Sequence, residues 1–460
     1  MFRTLGPCPH KGHGAGDGVS SRPNQTTPGP GNDYRFATLP DCRRCRSIED
    51  GLFVGLPHMK GVQLVLLWVS LVAVGCASTQ DQPTDILAEP ADAAGDVMAQ
   101  DHMPTETAGD TPHVPPDNGP DVFTPHYNEK NAPLYDESVV VDIKLVFAEA
   151  EWQKFQDIYA YWSEHADEYD HAETVIEYVH CGVQFKDKTF ADAGCHPKGN
   201  PRYWKDSKKP QIGIKFNAWD KNGRFLGLRK MGFKSLPYYA APVRSRIAMW
   251  LMRESGIIAP RVNHARVFVN GQYLGLYENI EAIDREFLED HFEDPSGNLY
   301  QNGYILKTNQ EENDQSRVWK LNDRIDAEPL DGDHSEFFAW LPTILDVHEV
   351  LREIAGEVVL PTPDNYSNGS DNFYFYDNPK TGLFVVLPWD IDECIGPFAP
   401  PDADIYEYWG EPEAQNPPMK LRLLIYQNPV WKKEYEDNLV QIRDEVYAKL
   451  PGVVASVCAQ

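Results

Sequence analysis

The chain has 460 residues, 42% of them hydrophobic and 12% aromatic, enough to bury a large core and to build two or three domains. Its formal net charge of −28 argues against a nucleic-acid partner. The charge is concentrated, because Ala77 to Glu129 holds 11 acidic residues and no Lys or Arg.

Residues 1–58 show neither helical nor strand periodicity. Cys8, His10, His13, Cys42 and Cys45 admit a zinc reading, since Cys-x-x-Cys is a common metal half-site. A wrongly chosen start codon explains the same segment and is the expectation. The next stretch, MKGVQLVLLWVSLVAVGCAS, has Lys60, an apolar run from Val62 to Val74, then Gly75 and Cys76. That is the layout of a secretory signal, 59–76, and it resembles a bacterial lipobox, with cleavage before Cys76 and a lipid on its thiol. The apolar run is shorter than the ~18 residues a spanning helix needs. The expectation is an exported lipoprotein, periplasmic or on the cell surface, held to a membrane through Cys76. The segment 77–133 is rich in Asp, Pro and Thr and poor in aliphatic residues, so it reads as a disordered tether.

Four cysteines remain after Cys76, an even number that suits an exported domain. Cys181–Cys195 is the natural local pair, which leaves Cys394–Cys458; free buried thiols are the alternative.

From Leu134 the composition is globular. Ser138–Phe147 and Thr174–Phe185 read as strands, with a helix over Ala148–Ala166 between them. Gln211–Asn217 reads as a further strand and Pro242–Gly256 as a helix that Gly256 ends. In ARVFVNGQYLGLYENIE, Ala265–Glu281, Asn270-Gly271 predicts a type I′ hairpin turn. Asp371–Asp390 predicts two strands joined at Asn378–Gly382, and helices are expected over Met419–Gln427 and Val430–Leu450. The fold class is α+β.

The segment FVVLPWDIDECIG carries Asp390 and Asp392 at the open end of an apolar strand. A carboxylate there, next to Pro388 and Trp389, would be costly without a partner. Asp364 and Asn372 lie upstream among turn-forming residues. Carboxylates and an amide oxygen suit Mg²⁺ or Mn²⁺ better than zinc. An acidic loop residue, an Asn, a hairpin and a second Asp is also the order of a phosphoryl-transfer site. Asp392 reads as a turn or cap residue, Asp371 as solvated surface and Trp389 as core.

The chain resembles the CotH-like kinase family over about residues 134–450. The likeness rests on KGN at Lys198–Asn200, IKF at Ile214–Phe216, RESGIIAPR at Arg253–Arg261, the Asn270-Gly271 hairpin, GNLY at Gly297–Tyr300, DNYSNGSDNFYFY and LPWDID, in that order. It implies a two-lobed, protein-kinase-like fold within 134–460, with a small lobe at 134–285 and a large lobe at 286–460. It also implies ATP with Mg²⁺ (or Mn²⁺) as cofactors and an exported acceptor protein rich in Ser and Thr. By the same resemblance Asp364 orients the nucleophile, Asp390 and Asn372 hold metal, and Lys215, Lys198 and, more weakly, Glu281 line the nucleotide site. Where the family often has Arg-Glu at the start of the helix after the IKF strand, this chain has Arg244-Ser245. An inactive kinase-like binding module is the alternative, and a phosphate-handling hydrolase a third reading.

Overall fold

The structure is a computed structural model that describes residues 125–169, 176–204, 207, 209–235, 243–368, 371–396, 403–406 and 417–460. The extension 1–58 with its zinc reading, the signal 59–76 with Cys76, and most of the tether 77–133 lie outside the described residues.

In chain order the strands are β1 (Val141–Val146), β2 (Val179–Phe185), β3 (Lys188–Pro197), β4 (Ile212–Lys215), β5 (Lys230–Lys234), β6 (Val262–Val269), β7 (Gln272–Ile280), β8 (Leu299–Gln301), β9 (Ile305–Leu306), β10 (Phe373–Asn378) and β11 (Leu383–Pro388). The helices are α1 (Glu149–Glu164), α2 (Arg244–Glu254), α3 (Arg285–His291), α4 (Ser316–Ala327), α5 (Ser335–Trp340), α6 (Val347–Val359), α7 (Pro417–Ile425), α8 (Pro429–Gln441) and α9 (Leu450–Ala459).

The first seven strands close a barrel in the order β1-β2-β3-β4-β5-β7-β6, in which only β1–β6 is a parallel pair. Alternation decides which residues fill it. Ile143, Leu145, Val183, Ile212, Ile214, Met231, Phe233, Val267 and Tyr277 point inward and are buried. The residues between them on β4 and β5 (Gly213 and Lys215, Lys230, Gly232 and Lys234) share the outer face. The β6–β7 turn follows the sequence expectation, because Asn270 and Gly271 both take positive φ, 48° and 82°, as a type I′ turn requires.

The second sheet runs β11-β10-β8-β9, all antiparallel. It packs with α2 and the later helices around a separate core that includes Leu251, Tyr300, Leu351, Ile354, Phe375, Val386 and Leu421. Gly356 permits a close approach of α2 to α6. A Cβ there would stand 2.5 Å from Met252 Sδ and 2.9 Å from Ile257 Cδ1.

Several boundaries differ from the sequence reading. Residues 125–133, assigned to the tether, are folded: the backbone N–H of His126 donates to the Asp290 carbonyl at 2.8 Å, and Asn131 is 2% exposed. The Val430–Leu450 helix is present but changes type along its length, with a 3₁₀ turn over Tyr447–Lys449. α8 ends at Gln441, a π turn spans Ile442–Val446, and α9 starts afresh at Leu450, because Pro451 has no N–H to continue a helix and fits only its first turn. β3, β5, β8, β9 and the helices α3–α6 and α9 were not expected.

Cys181 and Cys195 form the local disulfide between β2 and β3. The second expected bridge is absent, since Cys394 is a buried thiol and Cys458 an exposed one. The sequence separation of 14 closes only a short loop. Replacing Cys181 and Cys195 by alanine is therefore expected to cost about 3 kcal/mol in urea unfolding. An unchanged midpoint would show that the barrel is not strengthened by the bridge.

Candidate functional site

Asp364 sits in the loop between α6 and β10, which is held from several sides. Asn365 Nδ2 donates to the Trp389 carbonyl at 3.0 Å, and Asn368 Nδ2 to the Thr362 carbonyl at 2.8 Å. The Ser367 backbone N–H donates to Glu357 of α6 at 2.9 Å, and Arg422 of α7 donates to Asn368. Glu357 and its neighbour Glu353 are fully buried, and burial pushes both carboxyls up. The loop therefore rests on a buried polar floor, where each missing hydrogen bond would carry a full desolvation cost.

Asn372 joins this loop to the strand ends. Its side-chain N–H groups donate to the Asp364 carbonyl at 2.9 Å and to Asp364 Oδ2 at 3.0 Å, while its own carbonyl accepts from the Trp389 N–H at 3.0 Å. Asn372 and Asp390 both have φ of +54°, a left-handed backbone that a non-glycine residue adopts at a cost. In this way the structure brings Asp364, Asn372 and Asp390 together, although β10 and β11 separate the last two.

A lysine that the sequence reading did not single out meets them. Lys234, the last residue of β5, donates to Asp390 Oδ1 and, at 2.7 Å, to Asp392 Oδ2. Burial draws the ammonium down, but Asp390 and Asp392 outweigh it and hold Lys234 well above the usual lysine range. Asp392 lies in a turn, as expected, and is also a half-buried ion-pair partner; burial pushes it up to about 6 against the pull of Lys234. Asp371 is buried rather than solvated and accepts from the Asn372 N–H at 2.9 Å. Trp389 is core, as expected, at 8% exposure.

Lys198 also reaches this region, with its side chain over Gly232 and its ammonium 5.9 Å from the Trp389 ring centre. Lys215 does not. It pairs with Lys230 across β4 and β5, four residues from Lys234, which is about 13 Å along the strand. Its ammonium lies instead 5.9 Å from the Tyr178 ring. Glu281 is held elsewhere too, in a buried ion pair in which Arg261 Nε donates to both of its oxygens at 3.0 Å. Lys234 has a sequence signal that was overlooked, the strict polar–apolar alternation of Lys-Met-Gly-Phe-Lys.

The donor set is acidic and hard, which suits a divalent cation. Among the described residues no three His, Cys, Asp or Glu side chains converge on one point, and the Lys234 ammonium stands between Asp390 and Asp392. The excess negative charge shows at Asp364. Burial, then Asp371, Glu393, Asp392 and Asp390, push its carboxyl up to about 8. On α6, burial pushes Glu349 up to about 7.

These protons are held in the folded state at pH values where an unfolded carboxyl has lost them. Their stabilisation is fully present below about pH 4 and is lost as pH rises through 7 and 8. Metal-free protein is therefore expected to melt at a lower temperature at pH 8 than at pH 5, with a shallower trend in Asp364→Asn. A melting temperature that rises with pH would contradict this.

The comparisons with known proteins agree with the geometry. The chain is 25% identical over 217 residues to the inner spore coat protein H of Bacillus subtilis (strain 168), covering 42% of this chain. It spans only 56% of the length of that relative. Residues 198–449, more than half of the chain, match the family described as CotH kinase protein, and that stretch contains Lys234, Asp364, Asn372 and Asp390 together with the second sheet and the core around it. The chain belongs to the CotH kinase family.

Proposed function

We propose that this chain is an atypical kinase that transfers the γ-phosphoryl group of ATP to a Ser or Thr hydroxyl of an exported protein. The observation that carries the reading is the meeting of Asp364, Asn372, Asp390 and Lys234 at one place, each from a different segment. The barrel would serve as the small lobe of a kinase-like fold and the second sheet with its helices as the large one. Asp390 and Asn372 are the residues that would hold Mg²⁺ or Mn²⁺, which when bound neutralises phosphate charge. Lys234, with Lys198 beside it, takes the phosphate-facing role first given to Lys215. A cation there would offset the neighbouring acids and favour the ionised form of Asp364, which orients the acceptor hydroxyl and accepts its proton as the new P–O bond forms and the bond to ADP breaks. The chain would act outside the cytoplasm, anchored through a lipid on Cys76.

A non-catalytic binding module is the second reading. It is favoured by the way Lys234 already neutralises Asp390 and Asp392 without a cation. The test is incubation with γ-labelled ATP, Mg²⁺ or Mn²⁺ and a Ser-rich acceptor. Label on protein, lost in Asp364→Ala and Asp390→Ala, supports the kinase. No label, together with no rise in melting temperature on adding nucleotide, supports the binding module.

A further inference from the structure

Glu278 on β7 stands directly opposite Lys234 in the β5–β7 ladder. Side chains so paired on one face have Cβ atoms about 5 Å apart. Glu278 is fully buried, and among the described residues no Lys or Arg forms an ion pair with its carboxylate. Lys234, its natural partner, is turned to Asp390 and Asp392 instead. The other charged groups that act on this region are Lys209 and Arg246, and both feel Glu278 as an attractive charge. A buried carboxylate without an ion-pair partner is costly, and burial, outweighing Ser245 and Lys234, pushes this one up to about 7. The buried Ser245 hydroxyl and the Arg246 backbone N–H, at the start of α2, lie close beside Glu278 and favour its charged form. Ser245 is the position at which the family resemblance led us to expect an acid.

We propose that Glu278 is the second seat of Lys234: the lysine pairs with Asp390 and Asp392 in the free protein and turns to Glu278 when those aspartates are engaged by a cation, so that β7 supplies the acid absent from α2. The exchange rests on the phosphotransfer reading for its purpose but not for its test. A lysine ammonium has three donors on a flexible stem, and Glu278 is its cross-strand neighbour. Ser245, with its short side chain, leaves space for the strand carboxylate. Glu278 is a positioning residue here and touches no substrate.

Two arms on the full chain test this. The first uses unfolding in EDTA without nucleotide. Glu278→Gln alone is expected to leave the melting temperature unchanged or raised, because it removes a buried carboxyl that has no ion-pair partner and keeps an amide oxygen for the start of α2. In an Asp390→Asn/Asp392→Asn background the same change is expected to lower it by more than ~3 °C, because Lys234 then has no acidic partner left. The same sign in both backgrounds overturns the exchange and leaves Glu278 as a fixed neighbour of the α2 N-terminus.

The second arm measures binding of ATP with Mg²⁺, which stays readable if the double background does not fold. Glu278→Ser is expected to weaken binding about tenfold, and S245E/E278S to recover at least threefold of that loss. Unchanged binding in Glu278→Ser, or no recovery in the swap, overturns the proposal. Wild type that binds no nucleotide overturns the kinase reading instead, and the unfolding arm then decides the exchange by itself.

Discussion

Replacing Asp390 by alanine is expected to reduce transfer of label from ATP to an acceptor by ~10²–10³-fold, and Asp364→Ala by a similar factor. The two residues serve different steps of one event, the holding of phosphate charge and the orientation of the hydroxyl. Groups that act as a unit lose most of their effect with the first removal, so the double variant should be little slower than either single one. Both variants are expected to fold. Burial and the neighbouring acids push the Asp364 carboxyl up to about 8, so its replacement removes little charge from the core at neutral pH. Asp390 keeps 32% of its side-chain surface exposed. A melting temperature near that of wild type would therefore accompany the loss of transfer. Retained activity in either variant would remove the site from consideration.

Lys234→Ala is expected to have the largest effect on stability. Breaking a buried ion pair by deleting one partner costs ~3–5 kcal/mol, because the remaining charge is stranded. Asp390 is about one third exposed and screened by water, so the figure for Lys234 is nearer 3 kcal/mol. Most of that cost falls on Asp392, whose side chain is 16% exposed. The same variant gives a second readout. If the aspartates form a cation site, Mg²⁺ or Mn²⁺ at millimolar concentration should raise the melting temperature of Lys234→Ala more than that of wild type, since the metal no longer competes with an ammonium. Equal shifts in the two proteins would mean that the acids at β11 do not take metal. A drop well under 1 kcal/mol would mean that the Lys234 pairs are too solvated to matter.

Much of this site was legible in the linear order of residues. Asp364, Asn372 and Asp390 were assigned from their types and their places around a predicted hairpin, and the structure brings all three together. The lysine was not. Lys215 and Lys234 occupy the same outer face of adjacent strands, so alternation alone treats them alike. The β5 segment has only five residues, Lys230–Lys234, and no element is assigned to it from the sequence. Glu281 was chosen near the end of the hairpin, whereas Glu278, three residues earlier, is the one opposite Lys234; Glu281 belongs to Arg261. The second disulfide failed for a similar reason. Counting cysteines does not show that Cys394 is enclosed in the core below the site while Cys458 lies on an exposed terminal helix.

The sequence by itself determined what is local: the type I′ turn at Asn270-Gly271, the apolar alternation that fills the barrel, the nearby cysteine pair, and the acids at the ends of β11. These depend on backbone preferences and side-chain period over a few residues, which the chain order contains directly. Only the tertiary structure decided which cation faces those acids. Closing the barrel in the order β4-β5-β7-β6 carries the end of β5, and not the end of β4, to the open end of the second sheet. Strand order and register are set by how two separate cores pack, and a charge is assigned its partner only once that packing has excluded water from between them.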